Sequence, residues 1–184
     1  MQTQTFKRTA VVLAAVVLAA MIGLVALSMP SQAEAKTVTT KATTMAAAKT
    51  IKKGTTTVKA KANTSYVKFK AKKTKKYTFT VSSLNALTKA GKKRNFFNGN
   101  ISLYTGSPSM HKNLKVKTKG GKAYSLYLCT KNYYKTSSKY NKKVSAYTHL
   151  PKRSFTVKLK KGTTLYMSSW FTVRGGASYK VKIK

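Results

Sequence analysis

The sequence predicts an all-β protein: one antiparallel, jelly-roll-like β-sandwich domain of about 8–10 short strands, preceded by an N-terminal apolar signal helix. Three observations predict it. Apolar and polar residues alternate one for one in stretch after stretch, the period of half-buried strands. Glycine-containing turn signals separate the stretches. Only the N-terminus carries a long uninterrupted apolar run.

That run comes first. Lys7 and Arg8 precede apolar residues from Ala10 to Met29, Pro30 breaks the run, and Ala33-Glu34-Ala35 supplies small residues in a signal-peptidase arrangement. Residues 1–35 are therefore expected to be a signal peptide cleaved after Ala35. The chain would then be secreted or held at the cell surface. The alternative is an uncleaved anchor, because about 20 apolar residues suffice to span a bilayer. Residues 36–50, rich in Thr, Ala and Lys, carry no sustained period and are expected to be flexible, leaving 51–184 as the sandwich.

Within 51–184 the strands are read in order. Val58, Ala60 and Ala62 alternate with Lys59 and Lys61; Val67, Phe69 and Ala71 with Lys68 and Lys70; Tyr77, Phe79 and Val81 with threonine and serine. A short strand at Ile101–Thr105 follows, then Leu114 and Val116 alternating with lysines, and then Tyr124, Leu126 and Leu128 on one face. The last four are Lys143–Leu150, Phe155–Lys160, Thr163–Phe171 and Ser178–Lys184. The only helical signal is a turn or two within Ser83–Lys93. Outward lysines two residues apart would stand about 6.6–6.8 Å from one another.

Charge is the most informative property. The 184 residues hold 38 Lys and Arg against one acidic residue, for a net charge of +37. That acid, Glu34, lies in the expected signal peptide, so the domain itself has no aspartate or glutamate. Paired carboxylate acid–base catalysis, Ser-His-Asp triads and carboxylate calcium loops are excluded. No enzymatic activity, cofactor or metal site is expected. Cys129 is the only cysteine, so no intrachain disulfide can form, and its alternating surroundings point to a buried apolar role. An unopposed positive field points to anionic partners. Nearly all of the cations are lysines, hydrated point charges rather than bidentate forks, which favours diffuse contact over sequence reading.

Three segments, in order, resemble the bacterial pre-peptidase C-terminal domain, a β-sandwich module of secreted proteins. They are "SYVKFKAKKTKKYTFTVSS" from Ser65, "GNISLYTGSPS" from Gly99, and "LKKGTTLYMSSW" with "ASYKVKIK" from Leu159 and Ala177. The resemblance implies an accessory or binding module. The acidic residues usual in that family before its Leu-Tyr strand are replaced here by Asn100 and Ser102, so calcium binding does not carry over.

Four basic concentrations are candidate polyanion-binding sites. The first is the strand-face set Lys68, Lys70, Lys158, Lys160, Lys180 and Lys182; the second is Lys92, Lys93 and Arg94 beside Phe96 and Phe97. The third interleaves Tyr133, Tyr134 and Tyr140 with Lys131, Lys135, Lys139, Lys142 and Lys143, an arrangement suited to sugars bearing phosphate or sulfate, or to stacked bases. The fourth runs from Lys115 to Lys122. Expected partners are an anionic polysaccharide or teichoic-acid-like polymer, nucleic acid bound without sequence preference, or an anionic membrane surface. A membrane-active cationic protein and an accessory or inhibitor of a secreted peptidase are the alternatives.

Overall fold

The structure, a computed structural model, describes residues 35–140 and 143–184, without the side chains of Lys93 and Arg94. The expected signal helix and its cleavage motif, apart from Ala35 itself, lie outside the described residues. Ala35–Lys184 forms one compact unit, and none of its helices is long and apolar enough to cross a membrane.

Thirteen strands occur among the described residues. In chain order they are β1 (Lys36–Thr40), β2 (Lys49–Thr50), β3 (Gly54–Ala60), β4 (Thr64–Lys70), β5 (Lys75–Ala86), β6 (Asn98–Gly106) and β7 (His111–Asn113), then β8 (Val116–Thr118), β9 (Gly121–Ala123), β10 (Ser125–Cys129), β11 (Lys152–Leu159), β12 (Thr164–Phe171) and β13 (Ala177–Ile183). Two short helices interrupt them, α1 (Lys89–Arg94) and α2 (Lys131–Ser137). A five-stranded sheet has the order β1-β3-β13-β5-β11, and a six-stranded sheet β10-β6-β12-β4-β2, with β7 also paired to β6. A β8–β9 hairpin stands apart.

Alternation places the core. On β13, Tyr179, Val181 and Ile183 are buried while Lys180 and Lys182 are exposed. The inward residues of both sheets form one apolar cluster. Phe69 of β4 meets Tyr77 and Phe79 of β5 edge-on at 5.1 and 5.5 Å, and Phe79 stacks on Phe155 of β11 at 4.9 Å. Each such aromatic pair adds about 0.5–1.5 kcal/mol beyond its buried area. A bulge keeps the long β5 in phase: Ser83, at φ 58°, lies in an extra step opposite Tyr179, and the inward parity resumes at Leu84.

The all-β expectation holds, with three corrections. The sheets are mixed rather than wholly antiparallel, because β1 joins β3 and β2 joins β4 in parallel. Both belong to residues 36–50, which were expected to be loose. This segment instead passes from the edge of one sheet to the edge of the other, where Thr40 Oγ1 donates to the Tyr66 carbonyl at 3.2 Å and Met45 and Ala48 pack on Tyr166. Finally, Lys143–Leu150 is not a strand; only Leu150 makes a bridge, to Leu128.

Candidate functional site

Two surfaces bring chemistry-bearing side chains together. The first is the outer face of the five-stranded sheet. Lys180 stands between Thr57 of β3 and Ser82 of β5, and Lys182 between Thr55 and Thr80. Every direct neighbour of these central lysines is a hydroxyl, so like charges are not opposed across the strands. Thr78 and Thr80 hydrogen-bond in turn to Thr156 and Ser154 of β11 at 2.9 and 2.8 Å. Lys59, Lys152 and Lys158 extend the face, and only at Lys76–Lys158 do two lysines lie directly opposite. The result is a lattice of ammonium and hydroxyl groups.

The second surface lies where β10 and β11 meet, on the outer side of the six-stranded sheet. Thr130 caps α2, accepting from the Tyr133 N–H at 3.3 Å while donating to the Asn95 carbonyl at 2.8 Å, which ties α2 to the end of α1. Beside α2 runs the 143–149 loop, folded on itself by the Ser145 N–H donating to Thr148 Oγ1 at 2.8 Å and the Tyr147 N–H donating to Ser145 Oγ at 3.2 Å. Between them is an open cleft of about 240 Å³ lined by Tyr133, Ser137, Ser145, Tyr147, Thr148 and His149. Its rings are in contact: Tyr133 with His149 at 6.2 Å, His149 with Tyr127 at 5.4 Å, Tyr127 with Tyr147 at 5.6 Å, and Phe96 against Tyr133 at 5.0 Å.

Arg153 holds this cleft from beneath. It is 2 % exposed and has no carboxylate to pair with. Its guanidinium donates instead to the carbonyls of Tyr127, Lys119, Ser145, Ala146 and Thr148 and to Thr118 Oγ1. One side chain therefore joins β10, the β8–β9 turn and the cleft loop. Burial, reinforced by the Arg153 charge, holds the His149 imidazole below its ordinary value, so it is neutral at pH 7. Burial pushes the Cys129 thiol up to about 12, partly offset by Arg153. Cys129 is free and buried.

The expected site residues separate. Lys158, Lys180 and Lys182 share the five-stranded face, and Lys160 occupies the turn just after β11. Lys68 and Lys70 lie on β4 in the other sheet, with Lys68 half-buried opposite Tyr166, so the strand-face lysines do not make one wall. Lys92, Lys93 and Arg94 belong to α1; Lys92 is exposed, and the side chains of the other two lie outside the described residues. Beside them Phe97 is buried in the core while Phe96 is half-exposed against Tyr133. Lys131, Tyr133, Tyr134 and Lys135 sit on α2, a helix the sequence reading missed. Of the three tyrosines, Tyr133 lines the cleft, Tyr134 does not, and Tyr140 is 82 % exposed. Lys139 and Lys143 are exposed, and Lys142 lies outside the described residues. In the Lys115–Lys122 set, Lys115 Nζ stands 5.4 Å over the Tyr124 ring.

Sequence reasoning did not place Tyr127, Tyr147, His149, Arg153 or Trp170 in a binding site. Arg153 carried a usable signal, since it shares the inward parity of Phe155, Val157 and Leu159. Among the described residues no cluster of three His, Cys, Asp or Glu side chains could hold a metal ion.

No protein-family model matches the chain, and no curated protein sequence matches it. Among solved structures, it is similar to a β-glucosidase from Paenibacillus barengoltzii at 11 % identity and a TM-score of 0.31, covering 85 % of this chain. The match spans only 14 % of that enzyme's length.

Proposed function

We propose that this protein is an exported, non-catalytic, jelly-roll-like module that binds anionic polymers electrostatically. Candidate ligands are surface or wall glycopolymers of the teichoic-acid type, sulfated or otherwise acidic glycans, and nucleic acid without sequence preference. The observation that carries this reading is the outer face of the five-stranded sheet. There Lys180 and Lys182 stand in a hydroxyl lattice at the strand repeat of about 6.6–6.8 Å, in a domain with no acidic side chain to neutralise them. A repeating polyanion laid across such a face meets regularly spaced charges and hydrogen-bond donors. The three segments resembling the pre-peptidase C-terminal domain fall on β4–β5, β6 and β12–β13, and that resemblance suggests an accessory role.

The experiment is retention on heparin, DNA and teichoic acid over a series of salt concentrations. If about six lysines neutralise DNA phosphates, log K falls against log salt with a slope near −5. The Lys59→Ala/Lys180→Ala/Lys182→Ala triple variant should lower retention on all three polymers and flatten the slope. No retention at low salt, or retention of the triple variant equal to the parent's, overturns the reading. Leakage of anionic vesicles at concentrations that leave the polymers unbound would replace it with a membrane-active one.

A further inference from the structure

A second binding surface follows from strand register. Trp170 on β12 is directly opposite Asn100 on β6, and Asn100 is directly opposite Tyr127 on β10. Directly opposed residues point to the same side, so the Trp170 and Tyr127 side chains share the outer face of the six-stranded sheet, two strand spacings or about 9.5 Å apart. Asn100 lies between them, with Ser102, Ser125 and Ser168 forming the next row. Beyond Tyr127 the aromatic contacts continue through His149 and Tyr147 to Tyr133 and the cleft. Trp170 is 46 % exposed and Tyr147 64 %.

We propose that this track, from Trp170 across Tyr127 into the Tyr133–Tyr147–His149 cleft, is a binding site for a chain of sugar rings carrying acid groups. It adds a specific site to the diffuse lattice on the opposite sheet and rests on different residues. Aromatic faces suit the C–H faces of pyranose rings. Asn100 between the platforms, with the half-buried Ser102–Ser125 hydroxyl pair in the next row, supplies hydrogen bonds that ring hydroxyls need. The cleft is small and open at the end of the track, sized for one terminal ring. Lys131 and Lys135 are exposed on the same helix but, two residues either side of Tyr133, lie on its opposite face; the countercharge for sulfate, phosphate or carboxylate groups comes from the positive field of a domain with no acidic side chain. Rings already packed edge-on and a loop tied down by Arg153 need little ordering when ligand arrives. His149, neutral at pH 7, adds a donor and an acceptor without adding charge.

Trp170 is the only tryptophan in the sequence, so its fluorescence reports occupancy directly. A heparin-derived hexasaccharide is titrated at about 0.3 M salt, where diffuse lysine contacts are screened, with calorimetry alongside. The expected result is a saturable change in Trp170 emission. Tyr147→Ala, an exposed substitution, should weaken binding at least about fivefold, the low end of the loss for one stacking platform. Calorimetry on Trp170→Ala should show a similar loss, while Lys180→Ala/Lys182→Ala should leave this affinity unchanged. An unmoved Trp170 signal, or a Tyr147→Ala protein that binds like the parent with an unaltered melting curve, overturns the site. Equal binding of neutral cellohexaose overturns the acid-group requirement, and a larger response to oligothymidylate reassigns the track to nucleobases. Loss of heparin retention by the lysine-face triple variant, with the Trp170 response intact, separates this site from the lattice.

Discussion

Arg153 donates from Nη2 to the carbonyl oxygen of Ala146 at 3.1 Å, in a buried position where no carboxylate balances its charge. The compensation is made by five carbonyl dipoles and the Thr118 hydroxyl, gathered from three separate stretches of chain. A buried charge held in this way depends on every partner being in place.

Replacing it should therefore be costly. Arg153→Met leaves five carbonyls and the Thr118 hydroxyl without their donor, and should destabilise by about 3 kcal/mol or more in urea unfolding. Arg153→Lys should recover little, because one ammonium cannot face Tyr127, Lys119 and the 145–148 carbonyls together. A lysine variant as stable as the parent would show that charge alone suffices. Both variants should also lose the Trp170 response, since the cleft loop loses its anchor.

Acid sensitivity should trace to one imidazole. In most proteins the acid limb of stability comes from carboxylates; here the only acidic side chain is Glu34, outside the domain. The folded-state value of His149 is lowered by burial first and by Arg153 second, so the fold favours the neutral ring. Its contribution is present above the unfolded value near 6.5 and is lost as pH falls through the lower folded value. Tyr127 and Tyr133 pack against the ring at 5.4 and 6.2 Å. The melting temperature should fall as pH drops below about 6.5, and His149→Gln should flatten that slope. An unchanged slope in His149→Gln would place the sensitivity elsewhere.

Cys129 should be inert until the protein unfolds. With the thiol pushed up to about 12 and fully buried, a disulfide reagent at pH 8 should label it only after denaturant is added. Cys129→Ser should cost about 1–3 kcal/mol, because the fully buried hydroxyl gives up its hydrogen bonds to water. Rapid labelling of the native protein would mean that β10 opens locally.

The legible part of this molecule was what period two reports. Tyr179, Val181 and Ile183 against Lys180 and Lys182 form a pattern that burial alone creates, and it survived intact. The sequence did not reveal which sheet each strand joined, so Lys68 and Lys180 looked alike although they stand on different sheets. The Lys143–Leu150 stretch alternated by coincidence; its geometry is set by the Ser145–Thr148 hydroxyl pair and by Arg153, contacts that no local pattern encodes. Helix α2 was hidden by Tyr, Ser and Thr, weak helix formers, although Thr130 in front of them is a good cap. The cleft was invisible because Tyr127, Tyr133 and His149 meet only after β10, α2 and the loop have folded together.

One further consequence comes from the place of β13. It is the last strand in chain order, yet it lies in the middle of the five-stranded sheet, hydrogen-bonded to β3 on one side and β5 on the other. A ribosome that releases the chain from its amino end first delivers β3 and β5 without the segment that joins them. Closure of the sheet waits for Ala177–Ile183, and pairing across more than a hundred residues makes that closure slow. Until then the lysines of β3 and β5 are held apart by an open polypeptide. The five-stranded sheet is therefore completed only once Ala177–Ile183 has been made.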